Sequence, residues 1–162
     1  SDVCSSDLFP EGTPAIEQIH AAMLGPLVEV LRAEGFRAAR LGTSDLAIEP
    51  EPGGAGQPRK FSGNALRVRR QGVLYHGTLL DDFDIALAER LLRHPPREPD
   101  YRGRRGHGDF LTNLHLGRDR LEGLVRLAFG AREPFPAAAI PRARVERLLR
   151  ERYADDTWTH RL

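Results

Sequence analysis

The sequence predicts an α+β fold, with an antiparallel sheet in the middle of the chain and helices before and after it. Three observations support this prediction. Apolar residues recur at intervals of three and four before residue 35, two strand-like segments joined by a short turn occupy residues 60 to 80, and helical patterns return after residue 82. The 162 residues, 40% of them hydrophobic and 29% charged, are enough to bury one core.

The first predicted helix extends from Thr13 to Gly35, with Thr13 as its cap and Pro14 in its first turn. The dipeptide Gly25-Pro26 in its middle predicts a kink or a break, because proline removes a backbone donor there. Two short strands are predicted next, at 36–41 and 46–48.

The segment 49–58 is rich in proline and glycine and has no periodicity, which favours a surface loop. A phosphate-binding loop is the alternative, but no Lys-Ser or Lys-Thr pair and no helix start follow the glycines. After this loop, composition predicts a β-hairpin formed by 60–68 and 72–80, with the turn at 69–71.

The C-terminal half is predicted to be mainly helical. Asp82 or Asp84 should cap a helix that ends near His94, before a double proline. A basic loop at 97–108 and two helices, near 118–131 and 142–153, complete the chain. The predicted organisation is a main domain over 9–116 and a helical extension over 117–162.

Residues 1–8 can be back-translated onto the tail of a common sequencing adapter, and we expect them to be an assembly artefact. The only cysteine, Cys4, lies within them. No run approaches the roughly 18 apolar residues of a membrane span, and no secretory signal is evident, so a cytoplasmic location is expected. A net charge of +1 makes non-specific nucleic-acid binding a minor hypothesis.

Lys60 stands out in the composition, because it is the only lysine among 24 basic residues. Arginine replaces lysine easily on a solvated surface but not where a compact point charge must fit, so a single retained lysine suggests a functional role. The alternative is chance retention of a solvated strand residue.

Four sequence blocks occur in a characteristic order. They are Thr43-Ser44-Asp45-Leu46, then Arg59-Lys60-Phe61-Ser62-Gly63-Asn64-Ala65, then Tyr75-His76-Gly77-Thr78-Leu79-Leu80, and finally the segment from Tyr101-Arg102 to Asp109-Phe110-Leu111-Thr112-Asn113-Leu114. With these blocks, residues 13–116 resemble the lipoate-protein ligase family within the biotin and lipoate ligase superfamily. The resemblance implies a mixed or antiparallel sheet flanked by helices.

The resemblance also implies an activity. ATP and Mg²⁺ would activate lipoate or octanoate as an acyl-adenylate, such as lipoyl-AMP. The acyl group would then pass to a lysine of a lipoyl-acceptor domain, of the 2-oxoacid dehydrogenase E2 type or the glycine-cleavage H-protein type. Membranes and nucleic acids are not expected partners.

The family's catalytic lysine falls on Lys60, whose ammonium would stabilise charge on the acyl carbonyl and phosphate oxygens. Asp45 aligns with an acidic position that helps hold the adenylate or its Mg²⁺; a turn or cap residue is the alternative. The remaining implied binding residues are Ser62, Gly63, Asn64, His76, Gly77 and Thr78. No histidine spacing predicts a metal-histidine site.

One departure from the family is large, and two competing interpretations stay open. The family's lipoyl-binding loop, with Arg-Arg, Gly-Gly and His-Asp elements, does not occur upstream, so we expect an N-terminally truncated fragment that is inactive or poorly folded by itself. An ATP-independent octanoyl or lipoyl transferase would need a nucleophilic cysteine, and 43–58 contains none.

A non-catalytic module that binds acceptor domains through the arginines of 97–108 is the third interpretation. Arg102, Arg104 and Arg105 would then meet an acidic partner, or they would simply be solvated.

Overall fold

A computed structural model describes residues 15–69 and 72–160. The chain forms two compact units that adjoin in sequence at Gly130 and Ala131. The first holds α1 (Ile16–Ala33), β1 (Ala38–Leu41), β2 (Asp45–Ile48), β3 (Arg59–Arg69), β4 (Gly72–Leu79), α2 (Ile85–Leu91), a 3₁₀ turn (Asp100–Arg102), α3 (His107–Phe110) and α4 (Arg118–Ala128). The predicted α+β class with an antiparallel sheet is confirmed.

The four strands pair in sequence order, β1-β2-β3-β4, and every pair is antiparallel. Helices α1 and α4 pack on the sheet through one apolar core, because α1 carries its apolar residues at helical spacing. The fully or nearly fully buried members of this core include Leu24, Leu31, Ala38, Leu46, Phe61, Leu114 and Leu124.

Helix α1 is continuous through Pro26, so a break at this position is wrong. Proline in a helix costs about 3 kcal/mol. Leu24 and Val28 lie on either side of it and are both buried in the core, and this packing offsets the cost. The described helix begins after Ala15, and the predicted cap at Thr13 lies outside the described residues.

Smaller differences from prediction occur at element ends. The first strand begins at Ala38 rather than residue 36, because Gly35 has a φ of 91° and the amide of Phe36 still donates to the carbonyl of Leu31. Asp84, not Asp82, caps α2 by accepting from the amide of Leu87 at 2.8 Å. Of the predicted hairpin turn at 69–71, Arg69 is the last residue of β3, and residues 70 and 71 lie outside the described residues.

The predicted helical extension differs in extent from the second compact unit. Helix α4 belongs to the first unit with the sheet, and its last residue, Ala128, precedes the left-handed Gly130. The second unit contains a 3₁₀ turn (Ala137–Ala139), α5 (Arg142–Leu148), a π-helical turn (Leu149–Tyr153) and α6 (Asp156–Thr159). No helix in 15–69 or 72–160 has the length and apolarity needed to cross a membrane.

Candidate functional site

The ammonium of Lys60 lies at the beginning of β3, held by a carboxylate from the neighbouring strand. Its Nζ is 2.7 Å from Oδ1 of Asp45, the first residue of β2. The other oxygen of that carboxylate, Oδ2, accepts a hydrogen bond of 2.9 Å from the Tyr101 hydroxyl. We call these three residues the Lys60 anchor. The lysine side chain keeps about a quarter of its surface exposed, so it can still meet a ligand.

Tyr101 enters this anchor from the 3₁₀ turn that follows α2. Burial raises the pKa of its phenol far above the ordinary value, and the Asp45 carboxylate raises it further by disfavouring a second negative charge. The Tyr101 hydroxyl therefore stays protonated and remains a donor to Asp45 across the physiological pH range.

A β-bulge sets the direction of Lys60. Leu46 pairs with Ser62 but Ala47 pairs with Lys60, so β3 holds one extra residue, Phe61, between these pairs. Phe61 and Ser62 are both almost completely buried, although adjacent residues of a regular strand point to opposite faces. As a result Lys60 shares a face with Gly63, and a Cβ on Gly63 would lie only 3.0 Å from Nζ.

The sequence-predicted binding residues divide between the two faces of the β3-β4 ladder. Ser62, Asn64 and Gly77 lie on the inner face, which also carries Tyr75 and Leu79 toward the core. The Asn64 amide nitrogen donates to the carbonyl of Ser44 at 2.7 Å and to Oγ of Ser62 at 3.0 Å. These polar groups are satisfied by one another and hold the β2 end against β3.

Gly77 is required by the same arrangement. It pairs with Asn64 across the ladder, and a Cβ at this position would lie 1.8 Å from the Asn64 Oδ1. The space that glycine leaves at position 77 is therefore taken up by a side chain of the protein itself.

The outer face of the ladder carries the other members of the predicted set. Gly63 pairs with Thr78, and the next outward pair is Ala65 with His76. His76 and Thr78 are exposed and lie on the same face as the Lys60 ammonium. The structure thus brings Lys60, Gly63, His76 and Thr78 onto one accessible surface, which we call the outer-face site.

The predicted Mg²⁺ has no evident cage of protein ligands. Within the described ranges, no group of three or more histidine, cysteine, aspartate or glutamate side chains is arranged to hold a metal ion. Both oxygens of Asp45 already have protein partners. This set of donors does not fit a magnesium ion held by the protein alone. Asp81 accepts from the amides of Leu116 and Gly117, which orients the chain before α4.

The arginines of 97–108 are not equivalent. Arg102 is 5% exposed, so neither predicted alternative, a partner contact or solvation, describes it. The guanidinium carbons of Arg102 and Arg105 lie 4.7 and 5.3 Å from the Phe110 ring centroid. Arg105 also donates to the carbonyls of Pro58 and Tyr101. Only Arg104 of the three remains exposed.

Residues 3–120 match the family model described as the lipoyl protein ligase A/B catalytic domain. The chain belongs to this family. Family membership agrees with the sequence blocks around Asp45, Lys60 and His76, and it identifies the chain as part of an enzyme catalytic domain.

The comparisons with individual proteins agree with the family. Over 88 residues the chain is 32% identical to a lipoate-protein ligase A of Bdellovibrio bacteriovorus, an alignment that covers 54% of this chain and 25% of that protein. A bi-partite lipoate protein ligase of Thermoplasma acidophilum, described with its E2 lipoyl domain, superposes with a TM-score of 0.71 at 17% identity. That match covers 91% of this chain and 59% of the other.

A lipoate-protein ligase A bound with ATP gives a TM-score of 0.63 at 18% identity, covering 90% of this chain and 60% of that one. At these identities the structural likeness establishes the fold. The chain spans a quarter of the length of its curated relative and about three fifths of the solved structures.

Sequence reasoning missed Tyr101 and Ser44 as parts of the site. Both stand within the blocks that carry the family resemblance, and Tyr101 is one of only three tyrosines in the chain. Their place within these blocks was the signal that could have identified them. Local sequence pattern, however, cannot show that Tyr101 contacts Asp45, because the two residues are 56 positions apart.

Proposed function

We propose that this domain contributes to a ligase that activates lipoate or octanoate with ATP and transfers the acyl group to a lysine of a lipoyl-acceptor domain. The observation that carries the proposal is the Lys60 ammonium, fixed by Asp45 on the outer face of the sheet at 2.7 Å. The support from relatives is the family match, the ATP-bound relative and the relative described with its E2 lipoyl domain.

The first half-reaction needs a cation that can contact both the acyl carbonyl oxygen and a phosphate oxygen. A carboxylate oxygen of the fatty acid attacks the α-phosphorus of ATP, an acyl–oxygen–phosphorus link forms, and pyrophosphate leaves. An ammonium has three N–H donors, and Asp45 is the only side-chain partner of Lys60 found in the described residues. Two donors are thus available for the acyl carbonyl oxygen and a phosphate oxygen.

The second half-reaction uses the same charge. The neutral amine of an acceptor lysine attacks the acyl carbon, the bond from that carbon to the phosphate oxygen breaks, AMP leaves, and the nitrogen loses one proton to solvent. Negative charge develops on the carbonyl oxygen and then on the departing phosphate. A positioned ammonium stabilises both, and removal of one such donor typically lowers the rate by about 10² to 10³.

The other outer-face residues have supporting roles in this proposal. Gly63 leaves the surface beside Lys60 without a side chain, and Thr78, directly across from it, offers a hydroxyl to the nucleotide or the acyl group. His76 offers a ring nitrogen at the rim of the same surface. Ser62, Asn64 and Gly77 act through the backbone of β3, because their contacts are with the protein itself.

The test uses the full-length protein with ATP, lipoate or octanoate, and an apo lipoyl domain. Mass spectrometry of the acceptor should show one lipoyl or octanoyl addition that requires ATP and disappears when the acceptor lysine is replaced by arginine. Acyl-adenylate should be detected when the acceptor is left out. Transfer from a thioester donor without ATP would instead establish a transferase, and binding of the acceptor without acylation would establish the non-catalytic interpretation.

A further inference from the structure

We propose that Tyr101 is the positioning residue that holds the Asp45 carboxylate, and through it the Lys60 ammonium, in the orientation used for acyl activation and transfer. The inference rests on the proposed function for its catalytic meaning. Its structural content, that the Tyr101 hydroxyl restricts the Lys60 ammonium, can be measured independently of any ligase activity.

Among the described residues, each of the two carboxylate oxygens of Asp45 has one side-chain partner. With Oδ2 held by the Tyr101 hydroxyl at 2.9 Å, the carboxylate plane cannot rotate without losing that bond, so Oδ1 stays directed at Nζ of Lys60. Without the hydroxyl, a carboxylate at the end of a strand has rotational freedom, and a long lysine side chain follows it. Tyr101 therefore supplies the restriction that the ion pair by itself lacks.

Tyr101 is able to restrict Asp45 because its own ring is fixed. The ring packs against Phe110 with centroids 5.3 Å apart and an interplanar angle of 45°. Phe110 is 2% exposed and lies under two guanidinium groups, and one of these, from Arg105, also donates to the Tyr101 carbonyl at 2.9 Å. Backbone and ring are thus held from separate directions.

The same segment, 101–112, also grips the main chain around Lys60. The amide of Thr112 donates to the Lys60 carbonyl at 2.9 Å, and Leu111 forms a parallel bridge with Lys60. Arg59 donates to the carbonyls of Gly108 and Leu111. One stretch of chain consequently holds the backbone of residue 60 directly and its ammonium indirectly, through the hydrogen bond from Tyr101 to Asp45.

The structure provides a matched control in Tyr75. Its hydroxyl also makes one partly buried side-chain hydrogen bond of 2.9 Å, to Nδ1 of His20. Tyr75 lies on the inner face of the ladder, away from the outer-face site. Tyr75→Phe removes a hydroxyl from a hydrogen bond of the same length whose partner, His20, does not contact Asp45 or Lys60 in the described structure.

The structural test is the ¹⁵N NMR signal of the Lys60 ammonium in the full-length protein, identified by its loss in Lys60→Arg. We expect Tyr101→Phe to increase the exchange rate of the ammonium hydrogens about fivefold, the factor that corresponds to one ordinary hydrogen bond, and Tyr75→Phe to leave it unchanged. The proposal is overturned if Tyr101→Phe leaves this rate at the wild-type value, or if both tyrosine variants raise it equally.

A double-mutant cycle gives a second structural readout that remains valid if Tyr101→Phe lowers stability. In a shared chain of contacts, Asp45→Asn should raise the exchange rate, and adding Tyr101→Phe should raise it no further. Independent, additive effects of the two substitutions would contradict the proposal.

The kinetic test separates this inference from the proposed function. Tyr101→Phe should lower kcat for ligation about fivefold to tenfold while KM for ATP stays within about twofold, because the residue orients Lys60 rather than binding nucleotide. An altered NMR signal in a protein that shows no ligation even as wild type would sustain the positioning role and remove the proposed function. Normal ligation by Tyr101→Phe with an unaltered signal would do the reverse.

Discussion

The Cα of Gly63 faces the Lys60 ammonium so closely that a methyl group on it would lie 3.0 Å from Nζ and 3.2 Å from Cε. This relationship depends on the bulge at Phe61, which places residues 60 and 63 on one face. Glycine at position 63 therefore leaves the space that the Lys60 ammonium occupies.

Gly63→Ala should keep the fold and impair the site. The atoms in the way belong to the end of a flexible side chain, so the free energy of unfolding should change by less than about 0.5 kcal/mol. The displaced ammonium should lower the ligation rate about tenfold or more, since small misplacements of catalytic groups are costly. Urea unfolding and single-turnover ligation measure the two quantities, and wild-type rates in this variant would contradict the assigned geometry.

Lys60→Arg should be nearly as inactive as Lys60→Ala, each losing about 10² to 10³ in rate. The guanidinium retains the positive charge but replaces a compact ammonium with a broad planar fork, which does not fit between Asp45 and Gly63. Acyl-adenylate formation with folded variants, verified by circular dichroism, is the measurement. Near-wild-type ligation by both variants would contradict the central role of Lys60.

Gly77→Ala should destabilise the protein by about 1 to 3 kcal/mol, because the new methyl group displaces the Asn64 amide from its two hydrogen bonds. Gly123→Ala in α4 is a matched control. Nothing lies within 4 Å of a Cβ there, so alanine should be neutral or slightly stabilising. Equal unfolding midpoints for the two variants would show that Asn64 does not depend on Gly77.

Alkaline pH should destabilise the wild type more than Tyr101→Phe. Burial and Asp45 raise the pKa of the folded-state phenol, whereas the unfolded chain releases this proton near pH 10. The stabilisation from Tyr101 is therefore complete below about pH 10 and declines as the pH rises above it. Urea unfolding of both proteins at about pH 8 and pH 11 tests the sign, and an equal loss in the two would contradict it.

Shortening the loop 49–58 to a tight turn should leave ligation within a few-fold and stability within about 1 kcal/mol. Its residues 51–57 are exposed, and the Lys60 anchor does not include them. If its glycines bound phosphate through backbone amides, the deletion would raise the KM for ATP at least about tenfold. Initial rates across ATP concentrations decide between these outcomes.

Local sequence pattern determined the α+β class, the order of the elements and the hairpin that carries Lys60. These features follow from helical and strand periodicity and from turn residues, all of which act over a few neighbouring positions. The sole lysine was recognisable for a similar reason, because its distinction is compositional and needs no partner. The continuity of α1 through Pro26 was not predictable, since the helix is held there by packing against the core.

Tertiary structure alone decided how the candidate residues are arranged. One inserted residue, Phe61, turns the side chain of Lys60 to the face of the sheet that also carries Gly63. The register of β3 and β4 then places Ser62, Asn64 and Gly77 on one face and His76 and Thr78 on the other. The contact from Tyr101 to Asp45 joins residues 56 positions apart, and it forms because the segment 101–112 returns to the beginning of β3. Such contacts form only when folding brings distant segments of the chain together, and the periodicity of neither segment predicts this.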